Sequence, residues 1–201
     1  MRIVAGEFGG RVLAVPKRDL RPTTERTREA VMSMLGPLLE DAVVLDAFAG
    51  SGAYGFEALS RGAARVVFVE LEPVCCRTLD LNARALEVDE RVIIHRGSAQ
   101  RLLPKLTDRF QLLFCDPPYD LDEAAPLLEA MAALAAPEAR LIYEARTGAS
   151  LPLRVGRFRR TSQRNYGAAQ IAVYAEDEAD EERGPIAEGD GLGDGNLSGL
   201  V

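Results

Sequence analysis

Between residue 42 and residue 145, short apolar runs alternate with longer stretches in which apolar residues recur every three or four positions. The runs at 43–47, 66–69, 92–95, 112–115 and 139–144 read as buried strands, and the stretches at 53–61, 73–86, 99–106 and 121–134 as the helices between them. This alternation predicts an α/β fold: a mostly parallel sheet covered by helices on both faces. After residue 149 the pattern changes. Residues 153–160 and 170–174 form two β-runs joined by a polar turn through Asn165, Tyr166 and Gly167, which predicts a closing hairpin and a seven-stranded sheet. Ahead of the alternation, residues 3–6 and 11–15 predict a small hairpin or an extended arm ending at Pro16. A helix follows from about residue 24, capped by Thr23 or Thr24, with Ala30, Val31, Met34, Leu35 and Leu38 at helical spacing. Gly36-Pro37 bends or ends it.

Charge divides the chain further. The net charge of -7 comes from residues 176–201, which hold nine acids against Arg183 alone, whereas the remaining 175 residues carry 23 basic and 22 acidic groups. The tail is acidic, then glycine-rich, without apolar periodicity, and is expected to be disordered. The expected organisation is a hairpin and helix over 1–40, a main domain over 41–175 and the tail over 176–201. Arginines gather at both ends of the body, at Arg2, Arg11, Arg18, Arg21, Arg26 and Arg28 and again at Arg154, Arg157, Arg159, Arg160 and Arg164. These segments are candidates for one anion-binding face, with ordinary solvated surface as the plain alternative. No run reaches the roughly 18 apolar residues of a membrane span, and the start lacks the apolar core of a secretion signal, so a cytoplasmic protein is expected. Cys75, Cys76, Cys115 and the single His95 have no zinc-ligand spacing, so no metal is expected.

Three strand ends carry the candidate chemistry. In the segment from Asp46 through Phe48, Ala49, Gly50 and Ser51 to Gly52, a strand runs into small residues and then a helix, where backbone amides can approach a ligand closely. Asp46 suits a cationic amino group; a glycine turn that only packs helix on strand is the bland reading. Glu70 ends the next strand about 20 residues past that turn, where an acid accepts hydrogen bonds from ribose hydroxyls. At Asp116-Pro117-Pro118-Tyr119 the prolines free carbonyls as acceptors. Asp116 and the Pro117 carbonyl match the two hydrogens of an exocyclic amine, and Tyr119 can stack on its ring. A rigid turn is the alternative there.

Taken in order, these segments resemble the S-adenosylmethionine-dependent methyltransferases that act on amino groups, and so imply their Rossmann-like class I fold. Arg2-Ile3-Val4-Ala5-Gly6, Gly10-Arg11, the string from Leu20 to Glu29 and Glu57-Ala58-Leu59-Ser60-Arg61-Gly62-Ala63 narrow the resemblance to the RsmD family over residues 2–174. That resemblance implies methylation of the exocyclic N2 of one guanine in bacterial 16S rRNA of the small ribosomal subunit. It also implies S-adenosyl-L-methionine as cofactor and a cytoplasmic monomer that needs no metal. By matching positions, the methionine part of the cofactor would lie against Asp46, Phe48, Ala49, Gly50, Ser51 and Gly52. Glu70 would hold the ribose, Ser98 and Ala99 would lie by the adenine, and Asp116, Pro117 and Tyr119 would receive the base, with Asp116 also touching the cofactor. Arg11, Arg21, Thr23, Arg26 and Arg28 would contact RNA. Ser98 stands where an acid or amide is usual, and Tyr54 where a smaller aliphatic residue is. The rival readings are an adenine-N6 DNA methyltransferase and a cofactor-binding or RNA-binding module without activity.

Overall fold

A computed structural model describes residues 1–16, 24–121 and 124–177. Five parallel strands, β1 (Val43–Ala47), β2 (Arg65–Glu70), β3 (Val92–Arg96), β4 (Phe110–Cys115) and β5 (Ala135–Arg146), form the first part of one sheet. Three strands, β6 (Arg154–Val155), β7 (Phe158–Tyr166) and β8 (Ala169–Glu176), complete it by antiparallel pairing. The order is β3-β2-β1-β4-β5-β8-β7-β6. The sheet therefore has eight strands, not seven, because Gly156 takes a positive φ of 53° and breaks the expected 153–160 run into β6 and β7. The chain order reverses between β1 and β4, the switch point where such sheets bind ligands.

Helices α1 (Glu25–Leu35), α2 (Ala53–Ser60), α3 (Pro73–Ala85), α4 (Ala99–Leu102) and α5 (Ala124–Leu134) cover the sheet. Thr24 caps α1 by accepting from the Thr27 amide, whereas the alternative cap, Thr23, lies outside the described residues. Helix α4 is shorter than its periodicity suggested, since Pro104 carries the chain into a 3-10 turn over Leu103–Lys105. Because side chains alternate along a strand, two cores form, one on each face. Val44, Val66, Phe68, Leu112, Phe114 and Ile142 pack toward α1, α2 and the N-terminal segment, and Leu45, Val67, Leu113, Leu141 and Tyr143 toward α5.

The N-terminal segment is a minimal hairpin, its arms joined by backbone hydrogen bonds from Ile3 to the Arg11 carbonyl and between Met1 and Leu13. One antiparallel bridge, Arg2 with Val12, joins its arms, and Ile3, Phe8 and Leu13 are buried in the first core. Its polar anchor is Glu57 on α2, 1% exposed. The Glu57 carboxylate accepts from the amides of Val4 and Ala5 at 2.8 and 3.1 Å and from Arg61 Nε at 3.0 Å, and lies 3.6 Å from Arg28 Nε. Arg28 also donates to the Arg2 carbonyl at 2.7 Å. Ser60 adds a second anchor, taking the Phe8 amide and donating to the Ala5 carbonyl. Here Gly6 has φ 83°, and a Cβ on it would stand 1.8 Å from the Ser60 carbonyl oxygen.

The acidic tail begins later than expected. Glu176 ends β8 and accepts from Arg157 Nε at 2.6 Å, and Asp177 pairs with Arg154, so these two acids belong to the folded body. Residues 178–201 lie outside the described residues. No described helix is long and apolar enough to cross a membrane.

Removing one partner of a buried ion pair leaves the other charge uncompensated. Glu57→Ala is expected to lower stability by about 3–5 kcal/mol in urea unfolding, and a loss under about 1 kcal/mol would show that water replaces the carboxylate.

Candidate active site

A cavity of about 810 Å³ opens at the C-terminal ends of β1, β2, β4 and β5. The loop after β1 forms one wall. Phe48 sits there at φ 60°, a left-handed conformation costly for a side chain of its size, held by the hydrogen bond that its amide donates to the Val69 carbonyl at 2.9 Å. Gly52, at φ 78°, brings α2 close: a Cβ on it would lie 2.5 Å from the Phe56 ring. The Gly50 and Glu72 amides donate to the two Glu70 oxygens at 2.7 and 2.8 Å. That pair of bonds fixes Glu70 in the wall, and each oxygen retains a second lone pair for a ligand hydroxyl.

The opposite wall is Asp116, Pro117, Pro118 and Tyr119, which follow β4 directly. Asp116 is half-buried, Pro117 buried, and Tyr119 38% exposed at the rim. Beside them stands Glu144, which the sequence reading ended a strand on without assigning it a role. It is 4% exposed yet lines the cavity, and its two oxygens receive the hydroxyls of Tyr54 at 3.1 Å and Tyr119 at 3.4 Å. Tyr54, the departure noted in the sequence, stacks on Phe114 at 4.9 Å between centroids. Burial pushes the Tyr54 hydroxyl well up, and the charges of Glu144, Asp116 and Asp46 add to this, so it remains a donor. Burial likewise pushes the Cys115 thiol up, with Asp116 and Asp46 adding, which leaves it a packing group rather than a nucleophile.

Phe48, Ala49, Gly50, Ser51, Glu70, Ser98, Ala99, Asp116, Pro117 and Tyr119 all line the one cavity. Asp46 and Gly52 do not. Asp46 is buried behind the wall, where its Oδ2 accepts from the Gly55 amide at 2.9 Å, so it holds the first turn of α2 against β1 rather than presenting a carboxylate to the cavity. The Ser98 hydroxyl bonds Gln100 at 2.6 Å. Of the residues expected to contact RNA, Arg11 and Arg26 are exposed, and Arg21 and Thr23 lie outside the described residues. Arg28 must be withdrawn from that set, because it is 1% exposed with its guanidinium turned to Glu57 and the Arg2 carbonyl. Ion pairs to Glu176 and Asp177 also reduce the charge that Arg157 and Arg154 offer to a partner. Among the described residues no group of three or more His, Cys, Asp or Glu could hold a metal ion.

Burial raises the Asp46 carboxyl to about 8; the Gly55 amide opposes this and the Glu70 charge reinforces it. Between about pH 4 and 8 the folded chain thus binds more protons at this site than the unfolded chain, so Asp46 makes stability fall as pH rises across that window. Asp46→Asn removes the titration and keeps an acceptor for Gly55. The variant should therefore gain on the wild type between pH 5 and 8, by at most about 1.4 kcal/mol per pH unit, in denaturant unfolding without ligand. A difference independent of pH would contradict this assignment.

The likeness to known proteins covers nearly the whole body. Residues 1–175 match the family model described as Conserved hypothetical protein 95. The chain is 33% identical over 180 residues to "Putative rRNA methyltransferase YlbH" of Bacillus subtilis (strain 168), covering 87% of this chain and 98% of that protein. It is 39% identical over 133 residues to "Ribosomal RNA small subunit methyltransferase D" of Escherichia coli (strain K12), covering 64% and 67%. Among solved structures, "Putative methyltransferase yhhF from Escherichia coli" superposes with a TM-score of 0.77 at 30% identity, covering 88% of this chain and 97% of that one. With the Rossmann-like sheet and its strand-end acids, these matches place the chain in the Conserved hypothetical protein 95 family, the RsmD family of rRNA methyltransferases.

Proposed function

We propose that this protein transfers a methyl group from S-adenosyl-L-methionine to the exocyclic N2 of a guanine in bacterial 16S rRNA. The observation that carries the reading is the convergence of Glu70 and Asp116-Pro117-Pro118-Tyr119 on one cavity. Its volume, about 810 Å³, suits a nucleoside-sized ligand with room beside it for a base. The groups present fit the cofactor. Glu70, braced by two amides, offers acceptors to ribose hydroxyls, the 48–51 loop faces the methionine end, and Ala99 with exposed Leu71 offers apolar wall for an adenine. When bound, the cofactor supplies a methyl carbon activated by its sulfonium.

The chain's own residues orient the amine. Asp116 and the Pro117 carbonyl accept its two N–H bonds and favour the pyramidal nitrogen that methyl transfer needs, while Tyr119 stacks on the flipped base. As the N–C bond forms and the C–S bond breaks, the nitrogen becomes acidic, and its proton leaves to Asp116 or to water. Positioning supplies most of the acceleration, up to roughly 7–11 kcal/mol, and the charge of Asp116 supplies the rest. Residues 1–40, with Arg11 and Arg26 exposed, serve as the RNA-contacting extension by binding phosphates without reading sequence.

Methyl-labelled S-adenosylmethionine, offered with unmodified small ribosomal subunits, their naked RNA and duplex DNA, should place label in N2-methylguanosine from a ribosomal substrate after nucleoside digestion. Label in methyladenine would overturn the substrate, and binding of the cofactor with no transfer would overturn the activity. Asp116→Ala should reduce transfer by roughly 100-fold or more, with calorimetric affinity for the cofactor within a few fold; near-normal turnover would remove Asp116 from the mechanism.

A further inference from the structure

Glu144 is the cavity acid that this mechanism leaves unused. Cys115 of β4 pairs with Tyr143 of β5, so Asp116 and Glu144 occupy the next positions of two adjacent parallel strands, whose spacing is about 4.8 Å. Their parity puts both on the face of Phe114 and Ile142. Both line the cavity, and Tyr119 at the rim reaches one Glu144 oxygen. A carboxylate therefore stands one strand away from the group assigned to the amine, with its orientation set by Tyr54 from below. Its two oxygens accept the hydroxyls of Tyr54 and Tyr119, which hold the carboxylate in the cavity wall beside Asp116.

Base chemistry gives that acceptor a use. Adenine, cytosine and guanine all carry an exocyclic amine, but only in guanine does the ring nitrogen next to it bear a hydrogen on the same edge. In adenine and cytosine that nitrogen presents a lone pair, which a carboxylate repels. We propose that Glu144 is the specificity-determining residue of this site: lying beside Asp116, it accepts the guanine N1–H and by the same charge excludes adenine and cytosine. The assignment rests on the guanine-N2 reading above. It combines an attractive contact to the right base with a repulsive one to the wrong bases, the arrangement that discriminates most strongly.

The probe is 2-aminopurine ribonucleotide, which keeps the amine at C2 but has a lone pair instead of a hydrogen at N1. The guanine labelled by the wild type is mapped in naked small-subunit RNA or the assembled subunit, then replaced with 2-aminopurine by splinted ligation, and single-turnover transfer is compared. The wild type should prefer guanine by at least tenfold, and Glu144→Gln, whose amide can donate to the bare N1, should narrow or reverse that preference by a further tenfold or more. Cofactor affinity should hold within a few fold. Wild-type transfer to 2-aminopurine within threefold of guanine overturns the inference without recourse to the variant. An equal fall on both bases in Glu144→Gln also overturns it, leaving the guanine reading intact. Absence of any labelled guanine overturns the reading and the inference together.

Discussion

The Glu57 carboxylate accepts two backbone amides from residues 4 and 5 and faces the guanidinium groups of Arg28 and Arg61, almost entirely out of water. Removing any partner would leave a buried charge uncompensated, and one nitrogen of Arg28, Nη1, already has no hydrogen-bond partner among the described residues, so the cluster favours a single arrangement of three pieces of chain. Those pieces are the N-terminal segment, α1 and α2. Helix α2 begins at the loop that walls the cavity, and the N-terminal segment runs on to Val15, which also lines it. Asn82 of α3 ties the two together, exchanging hydrogen bonds with Ala14 and donating to the Ser51 carbonyl. A buried cluster that does not itself line the cavity thus helps to hold the elements that wall it.

At the other end of α2, acids gather where the strands end. Asp46, Glu70, Asp116 and Glu144 lie at the C-terminal ends of four adjacent parallel strands. Burial disfavours a charged carboxylate and is the main reason the Asp46 carboxyl is raised, with the nearby Glu70 charge adding to it. What offsets this locally is donors: amides of Gly50 and Glu72 on Glu70, the Gly55 amide on Asp46, tyrosine hydroxyls on Glu144. A cationic ligand whose hydroxyls and amine bring further donors is the natural complement to such an arrangement.

Much of this was legible because parallel strands, buried on both faces, are near-continuous apolar runs, so an acid that closes one stands out. Asp46, Glu70 and Asp116 stand out that way, and of the three Glu70 and Asp116 line the cavity while Asp46 lies behind its wall. Glu144 carries the same signal, an acid closing the run Leu141-Ile142-Tyr143, but no familiar motif surrounds it. Arg28 was misread for a different reason. Charge alone assigns it to the surface, yet it falls three and four residues before Val31 and Met32, on the stripe of α1 that faces the core. The two short arms at the N-terminus pair with each other through the backbone of Met1, Ile3, Arg11 and Leu13, while the amides of Val4, Ala5 and Phe8 turn instead to Glu57 and Ser60, so the ladder stays at one bridge. The break at Gly156 is a tight local turn inside the expected β-run, and the pairing of Asp177 with Arg154 and of Glu176 with Arg157 depends on contacts distant in sequence, which periodicity does not report.

The central claim is that one cavity holds the cofactor on Glu70 while Asp116 and Tyr119 keep a separate place for the base. A crystal structure with S-adenosylhomocysteine bound tests it most directly. The account predicts density along the 48–51 loop, ribose hydroxyls within hydrogen-bond reach of both Glu70 oxygens, and open space between Tyr119, Asp116 and Glu144. Ligand density that fills this space, or a Glu70 carboxylate turned away from the ribose, would contradict it.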